Sequence, residues 1–131
     1  VGSEMCIRDS FDSLADYSAS KAAMNAYSRT LACEESSIAC FSVRPGVVDT
    51  DMQVQIRTTN LMPPEQRAKF VSLYENNKLL PAEKPGHVLA ALAVNGSRSD
   101  PVLPNGKAMG AQGEFASWDD PFLDQYQLAI I

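Results

Sequence analysis

One segment limits the fold more than any other. Val88-Leu89-Ala90-Ala91-Leu92-Ala93-Val94 is apolar nearly all round a helical wheel. A helix with one apolar stripe needs one neighbour, but a helix apolar on most sides needs partners on most sides. Pro85 opens this helix and Asn95-Gly96 closes it as a natural C-cap. The remaining elements have to be judged by whether they can cover it.

They fall short. Ile38 to Arg44 is a short apolar run bounded by turn signals and cut off by Pro45-Gly46, which suits a buried strand of a parallel sheet. Glu114 to Trp118 reads as a last short strand, followed by a turn at Asp119-Asp120-Pro121 and a terminal helical piece. From Asp16 to about Glu35 the pattern is helical and alanine-rich, with apolar residues at Tyr17, Ala23, Met24, Tyr27, Leu31 and Ala32. Asp49 to Met62 reads as irregular with some helical content, and Pro63-Pro64-Glu65-Gln66 reads as a helix start. Ser97 to Gly113 reads as loop. The order helix, strand, helices, strand is an α/β order. A two-stranded sheet is marginal alone, so further strands are expected upstream. The alternative is a mostly helical unit that folds by itself.

Composition narrows the class. Hydrophobic residues make up 45% of the 131 and charged residues 21%, which is globular. A net charge of −5 argues against a nucleic-acid partner, because a phosphate footprint needs clustered Lys and Arg. No apolar run is long enough to span a membrane. Cys6, Cys33 and Cys40 match no zinc spacing and read as free thiols of a reducing compartment, so the expected localisation is cytoplasmic. Residues 1–10 have no clear period and no signal-peptide pattern; they are expected to be a non-native leader.

Tyr17 and Lys21 lie four apart on the first helix, so they project from one face. A phenol with a pKa of about 10 shuttles protons poorly at neutral pH, and a nearby ammonium favours the phenolate. Tyr17 is thereby a candidate acid/base, giving a proton to a carbonyl oxygen or taking one from an alcohol. Taken alone, the spacing also fits an ordinary amphipathic helix.

The surrounding residues extend the match. Tyr17-Ser18-Ala19-Ser20-Lys21-Ala22-Ala23 resembles the active-site helix of the short-chain dehydrogenase/reductase family. Arg44-Pro45-Gly46-Val47-Val48-Asp49-Thr50 resembles that family's second cofactor motif. The resemblance implies a fold class of α/β, with residues 11–131 forming the C-terminal part of a Rossmann-type doubly wound parallel sheet that lacks its N-terminal βαβ units. It implies Tyr17 and Lys21 as catalytic and cofactor-binding residues, and Pro45, Gly46, Val48 and Thr50 as nicotinamide contacts. The cofactor is NAD or NADP, with NADP favoured by a closer likeness to the sepiapterin-reductase-like branch. The implied partners are a small carbonyl or alcohol substrate and, in the full-length form, further copies in a homo-oligomer.

The family's glycine-rich phosphate turn is not in this sequence. The position of its catalytic serine falls near Glu4; Ser3 is one further, Ser13 is too close to Tyr17, and neither is assigned. The chain is therefore expected to derive from an NAD(P)-dependent oxidoreductase yet to be inactive alone. The alternative is a non-catalytic truncated homologue that acts only through subunit association. Asp51 to Leu80 resembles the family's substrate-covering segment, with Met52, Ile56, Phe70 and Tyr74 either lining the site or in the core. His87 reads as a helix-start polar residue, and Asp119-Asp120 beside Trp118 as a capping turn rather than a metal site. Arg57, Arg67 and Lys69 read as surface charges.

Overall fold

The computed structural model describes residues 15–129. The expected leader at residues 1–10, and Glu4, Ser3 and Ser13, lie outside the described residues. The elements are helix α1 (Ala15–Glu34), strand β1 (Ser42–Arg44), helices α2 (Asp51–Thr58), α3 (Pro64–Glu75), α4 (Glu83–Asn95) and α5 (Met109–Gln112), and strand β2 (Phe115–Ser117). A 3-10 turn (Pro121–Leu123) and helix α6 (Asp124–Gln127) follow.

β1 and β2 pair in parallel, Ser42 opposite Phe115, Val43 opposite Ala116 and Arg44 opposite Ser117. Parallel neighbours need a crossover, and α2 to α5 supply it. The strand expected over Ile38–Arg44 shrinks to its last three residues. β2 offers only three partners, and Cys40 N–H is taken instead by Gly110 C=O at 3.0 Å.

The core lies between this strand pair, α4 and the C-terminal turn. Val43, Ala116, Val88, Ala91, Leu92, Leu103, Met109, Leu123 and Tyr126 form one cluster. Val88, Met109 and Leu123 are fully buried, each removing apolar area that stabilises by about 1.5–3 kcal/mol. The apolar helix α4 buries Val88, Ala91 and Leu92, but Leu89 is 36% and Val94 66% exposed. Among the described residues its cover is one-sided.

Helix ends show where sequence cues hold and where they shift. Pro64 is the first residue of α3, where a missing N–H costs nothing. α4 starts at Glu83, so Pro85 stands in its first turn instead of opening it. Gly96 does end α4, with its N–H on Leu92 C=O at 2.9 Å, but in extended rather than left-handed conformation. Glycine is required there by space: a Cβ would sit 2.5 Å from Leu92 O and 2.8 Å from Phe41 Cζ.

The end of α1 is closed by a residue from the α4–α5 connection. Arg98 donates to the carbonyls of Glu35 (2.9 Å), Ile38 (2.5 Å) and Ala32 (3.1 Å). Ala32 is in the last turn of α1 and Glu35 and Ile38 follow it, and a cation suits the negative end of the helix dipole. Gly113, at φ +59°, lets the α5 end approach the α1 backbone at Ser28–Arg29, where no Cβ would fit. At the other end of the chain, Asp100 accepts hydrogen bonds from Tyr126 Oη and from Gln125 Nε2 (3.1 Å), fastening α6 to the same connection. Burial of Tyr126 and the adjacent Asp100 carboxylate push the phenol pKa well above its ordinary value.

Candidate active site

The first turns of α1 present Tyr17 and Lys21, both half-buried. Their four-residue spacing brings them together: Lys21 Nζ lies over the Tyr17 ring, 5.4 Å from its centroid. Ser20 Oγ donates to Tyr17 C=O at 2.7 Å, and Lys21 Nζ also reaches Met24 Sδ at 3.9 Å. Around the pair, Ala19, Ser20, Ala22 and Ala23 are exposed.

The second motif leaves β1 as a bent segment. Gly46 has φ +78°, a conformation that side chains rarely adopt. Two neighbours hold it from behind. Trp118 N–H donates to Arg44 C=O at 2.9 Å, and its indole Nε1 lies 3.5 Å from where a Gly46 Cβ would stand. Leu80 pairs with Val48 in an isolated parallel bridge: Leu80 N–H donates to Val47 C=O and Asp49 N–H donates to Leu80 C=O, both at 2.9 Å. Pro45 and Val48 are half-buried and Thr50 is exposed.

Thr50 is the N-cap residue of α2, yet its side chain makes no capping bond. Threonine there commonly accepts from an N–H of the first turn. Here the hydroxyl donates only a long 3.4 Å bond to Val48 C=O. Its acceptor capacity is left for something outside the helix.

α1 and β1 flank one groove of about 370 Å³, lined by Met24, Asn25, Tyr27 and Leu31 on the helix and by Ser42 and Val43 on the strand. Among the candidate lining residues, Phe70 is buried, while Met52 and Tyr74 are exposed and Ile56 is half-buried. The reading of Arg57 and Arg67 as surface charges is corrected. Arg57 stacks over the Tyr74 ring at 4.1 Å, and Arg67 Nη1 donates to Thr59 C=O at 2.8 Å, so each binds α2 to α3 or its approach. Asp119 and Asp120 make a turn: Asp120 Oδ2 accepts from Ser117 N–H at 2.7 Å and Asp119 Oδ1 from Ser117 Oγ at 2.5 Å. His87 is half-buried in α4, beside a shallow cavity of about 390 Å³ shared with Glu83, Lys84, Trp118 and Gln127.

Sequence reading missed Leu80 and Arg98. A signal existed for Leu80, because the residue before proline is pushed into extended conformation, and Pro81 follows it. No local signal marks Arg98, whose partners are about sixty residues away.

Among the described residues, no three His, Cys, Asp or Glu side chains gather to hold a metal ion, and no helix is long and apolar enough to cross a membrane. A family model described as short chain dehydrogenase matches residues 1–61. The uncharacterized oxidoreductase YIR035C of Saccharomyces cerevisiae is 40% identical over 119 residues, 88% of this chain and 43% of the relative. The benzil reductase ((S)-benzoin forming) of the same yeast is 40% identical over 85 residues, 61% of this chain and 32% of that enzyme. Sepiapterin reductase of Bos taurus is 33% identical over 93 residues, 71% of this chain and 34% of the reductase. The crystal structure of the YIR035C short-chain dehydrogenase/reductase superposes with a TM-score of 0.81 at 40% identity, over 96% of this chain and 47% of that one. The chain thus spans less than half the length of the relatives it matches.

Proposed function

The chain belongs to the short-chain dehydrogenase family, and from that premise we propose that it carries the proton-transfer and nicotinamide-facing part of an NAD(P)-dependent oxidoreductase. The substrate class is a small carbonyl or secondary alcohol. The observation that carries the reading is the Tyr17–Lys21 pair, with the ammonium over the ring.

The residues present suit the nicotinamide-ribose end of such a cofactor. Lys21 supplies an ammonium donor for ribose hydroxyls, and Thr50 a hydroxyl that its own helix leaves unused for capping. Pro45, Gly46 and Val48 supply a rim without ionisable side chains. Bound NAD(P) supplies the hydride chemistry. Tyr17 Oη holds the proton: it donates to a carbonyl oxygen in reduction and accepts from a hydroxyl in oxidation. The Lys21 charge favours the phenolate in that exchange.

In this reading the cofactor is NADP in preference to NAD, as the resemblance to the sepiapterin-reductase-like branch implies. The free thiols Cys33 and Cys40 suit a reducing, cytoplasmic setting. Residues 11–131 form the C-terminal part of one domain in this reading, and the assembled enzyme is a homo-oligomer. The second reading, subunit association without catalysis, is favoured by one observation: Tyr27 on α1 is 67% exposed beside the exposed Met24.

The test uses a hybrid in which this chain replaces the matching segment of the yeast oxidoreductase. Tyr17→Phe in the hybrid should abolish hydride transfer to a carbonyl substrate while sparing NADPH binding. Retained turnover removes Tyr17 from its role. The 131-residue chain alone should show no turnover and weak nucleotide binding, since it has no phosphate turn.

A further inference from the structure

We infer that Leu80 is a positioning residue for the nicotinamide-facing backbone Gly46–Thr50, clamping it from the far side of the chain. The inference rests on the reading of that backbone as the nicotinamide rim and adds to it the part that sets the rim's place.

Three observations converge on Leu80. Its N–H and C=O bracket the rim, on Val47 C=O and Asp49 N–H respectively, both at 2.9 Å. Its side chain fills the space behind Gly46, where a Cβ would lie 2.6 Å from Leu80 Cδ1. Pro81 pre-sets it in the extended conformation that the bridge to Val48 needs. Trp118 closes the remaining side through its N–H on Arg44 C=O and its indole near Gly46. β1 itself ends at Arg44, and among the described residues its pairing with β2 does not continue past it. The bend at Gly46 is therefore set by what packs behind it.

Leu80 is also the last residue of the excursion that holds α2 and α3. Between Thr50 and Leu80 the chain leaves and returns, and both ends meet at the Val48–Leu80 pair. A shift of the α2–α3 hairpin at its C-terminal end is passed to the rim through two backbone hydrogen bonds and one side-chain contact. The substrate-covering segment and the cofactor-facing segment thereby share a hinge point.

Two measurements test this. In the full chain, amide hydrogen exchange at Asp49 and Leu80 reads the clamp with no nucleotide present. Leu80→Ala should speed exchange at Asp49 about tenfold or more while Leu123, whose N–H is held by Asp120 C=O in the core turn, keeps its rate. Leu80→Met conserves volume and should restore protection. Unprotected Asp49 in the unaltered chain, or equal acceleration at Asp49 and Leu123, overturns the inference. In the yeast hybrid, NADPH affinity is measured by equilibrium fluorescence titration. Thr50→Ala and Leu80→Ala should each weaken binding about fivefold, with Leu80→Met within about twofold of the unaltered hybrid. Weakening by Thr50→Ala but not by Leu80→Ala overturns the clamp and leaves the rim reading standing. No weakening by Thr50→Ala overturns the rim reading and this inference with it, whatever the exchange rates show.

Discussion

The two candidate motifs are held in opposite ways. Gly46–Thr50 is fixed by its surroundings: a bridge to Leu80, the Trp118 indole behind it, and a backbone angle only glycine takes easily. Tyr17 and Lys21 stand half-buried on the first turns of a long helix whose far end is locked by Arg98 and Gly113. The rim is built by tertiary packing, and the proton pair by helical spacing plus an anchor some five turns away. A substitution at the pair should therefore change chemistry with little effect on stability, and a substitution at the rim should change both.

The sharpest way to break that contrast is Lys21→Met. Turnover of the yeast hybrid should fall about 100-fold, the low end of what a positioned proton-transfer partner contributes, with the thermal midpoint nearly unchanged. A drop in midpoint matching the drop in rate would put the pair in the same class as the rim. Gly46→Val is next. It forces a β-branched side chain to φ +78° and into Leu80, so stability should fall by about 3 kcal/mol in denaturant titration. Arg98→Ala removes three hydrogen bonds from the anchored end of α1 and should cost about 2 kcal/mol, with helix signal in circular dichroism lost before sheet signal. Unaltered rates on folded Arg98→Ala hybrid would show that the anchor stabilises without tuning the pair.

Tyr126→Phe serves as a control remote from both motifs. It leaves Asp100 without its phenol donor and should cost about 1–2 kcal/mol. The folded-state phenol pKa is raised, so this contribution is complete below the ordinary phenol value of about 10 and is lost as pH climbs past it. Midpoints measured from pH 8 to pH 11 should fall less steeply in Tyr126→Phe than in the unaltered chain. The smallest effect belongs to Tyr74→Leu, which removes the ring under Arg57 and should cost about 0.5–1 kcal/mol.

Sequence patterns revealed local features well and distant ones poorly. Helix α1 was legible from its alanines, and α3 from Pro64, because both cues act within a turn or two. The Tyr17–Lys21 contact was legible because a helix converts a spacing of four into proximity. The strand expected from Ile38 was too long, since strand length is decided by how many partners β2 offers. Helix α2 is hard to see in the sequence because it is polar, and its Arg57 stacks on Tyr74 of α3, a contact no local pattern announces. The expected αL cap at Gly96 named the right residue for another reason, as crowding by Phe41 calls for glycine. Leu80 and Arg98 act across the fold, and a linear pattern carries little trace of such contacts.

The Val48–Leu80 bridge has one more consequence. It makes the stretch from Asp51 to Leu79 a cassette with a fixed doorway. Residues inside can be lengthened, shortened or exchanged while both ends stay docked, because closing a longer loop adds only about 0.6 kcal/mol per doubling. Rewriting the cassette should therefore leave Gly46–Val48 in place, provided the two residues at the doorway, Val48 and Leu80, are left alone.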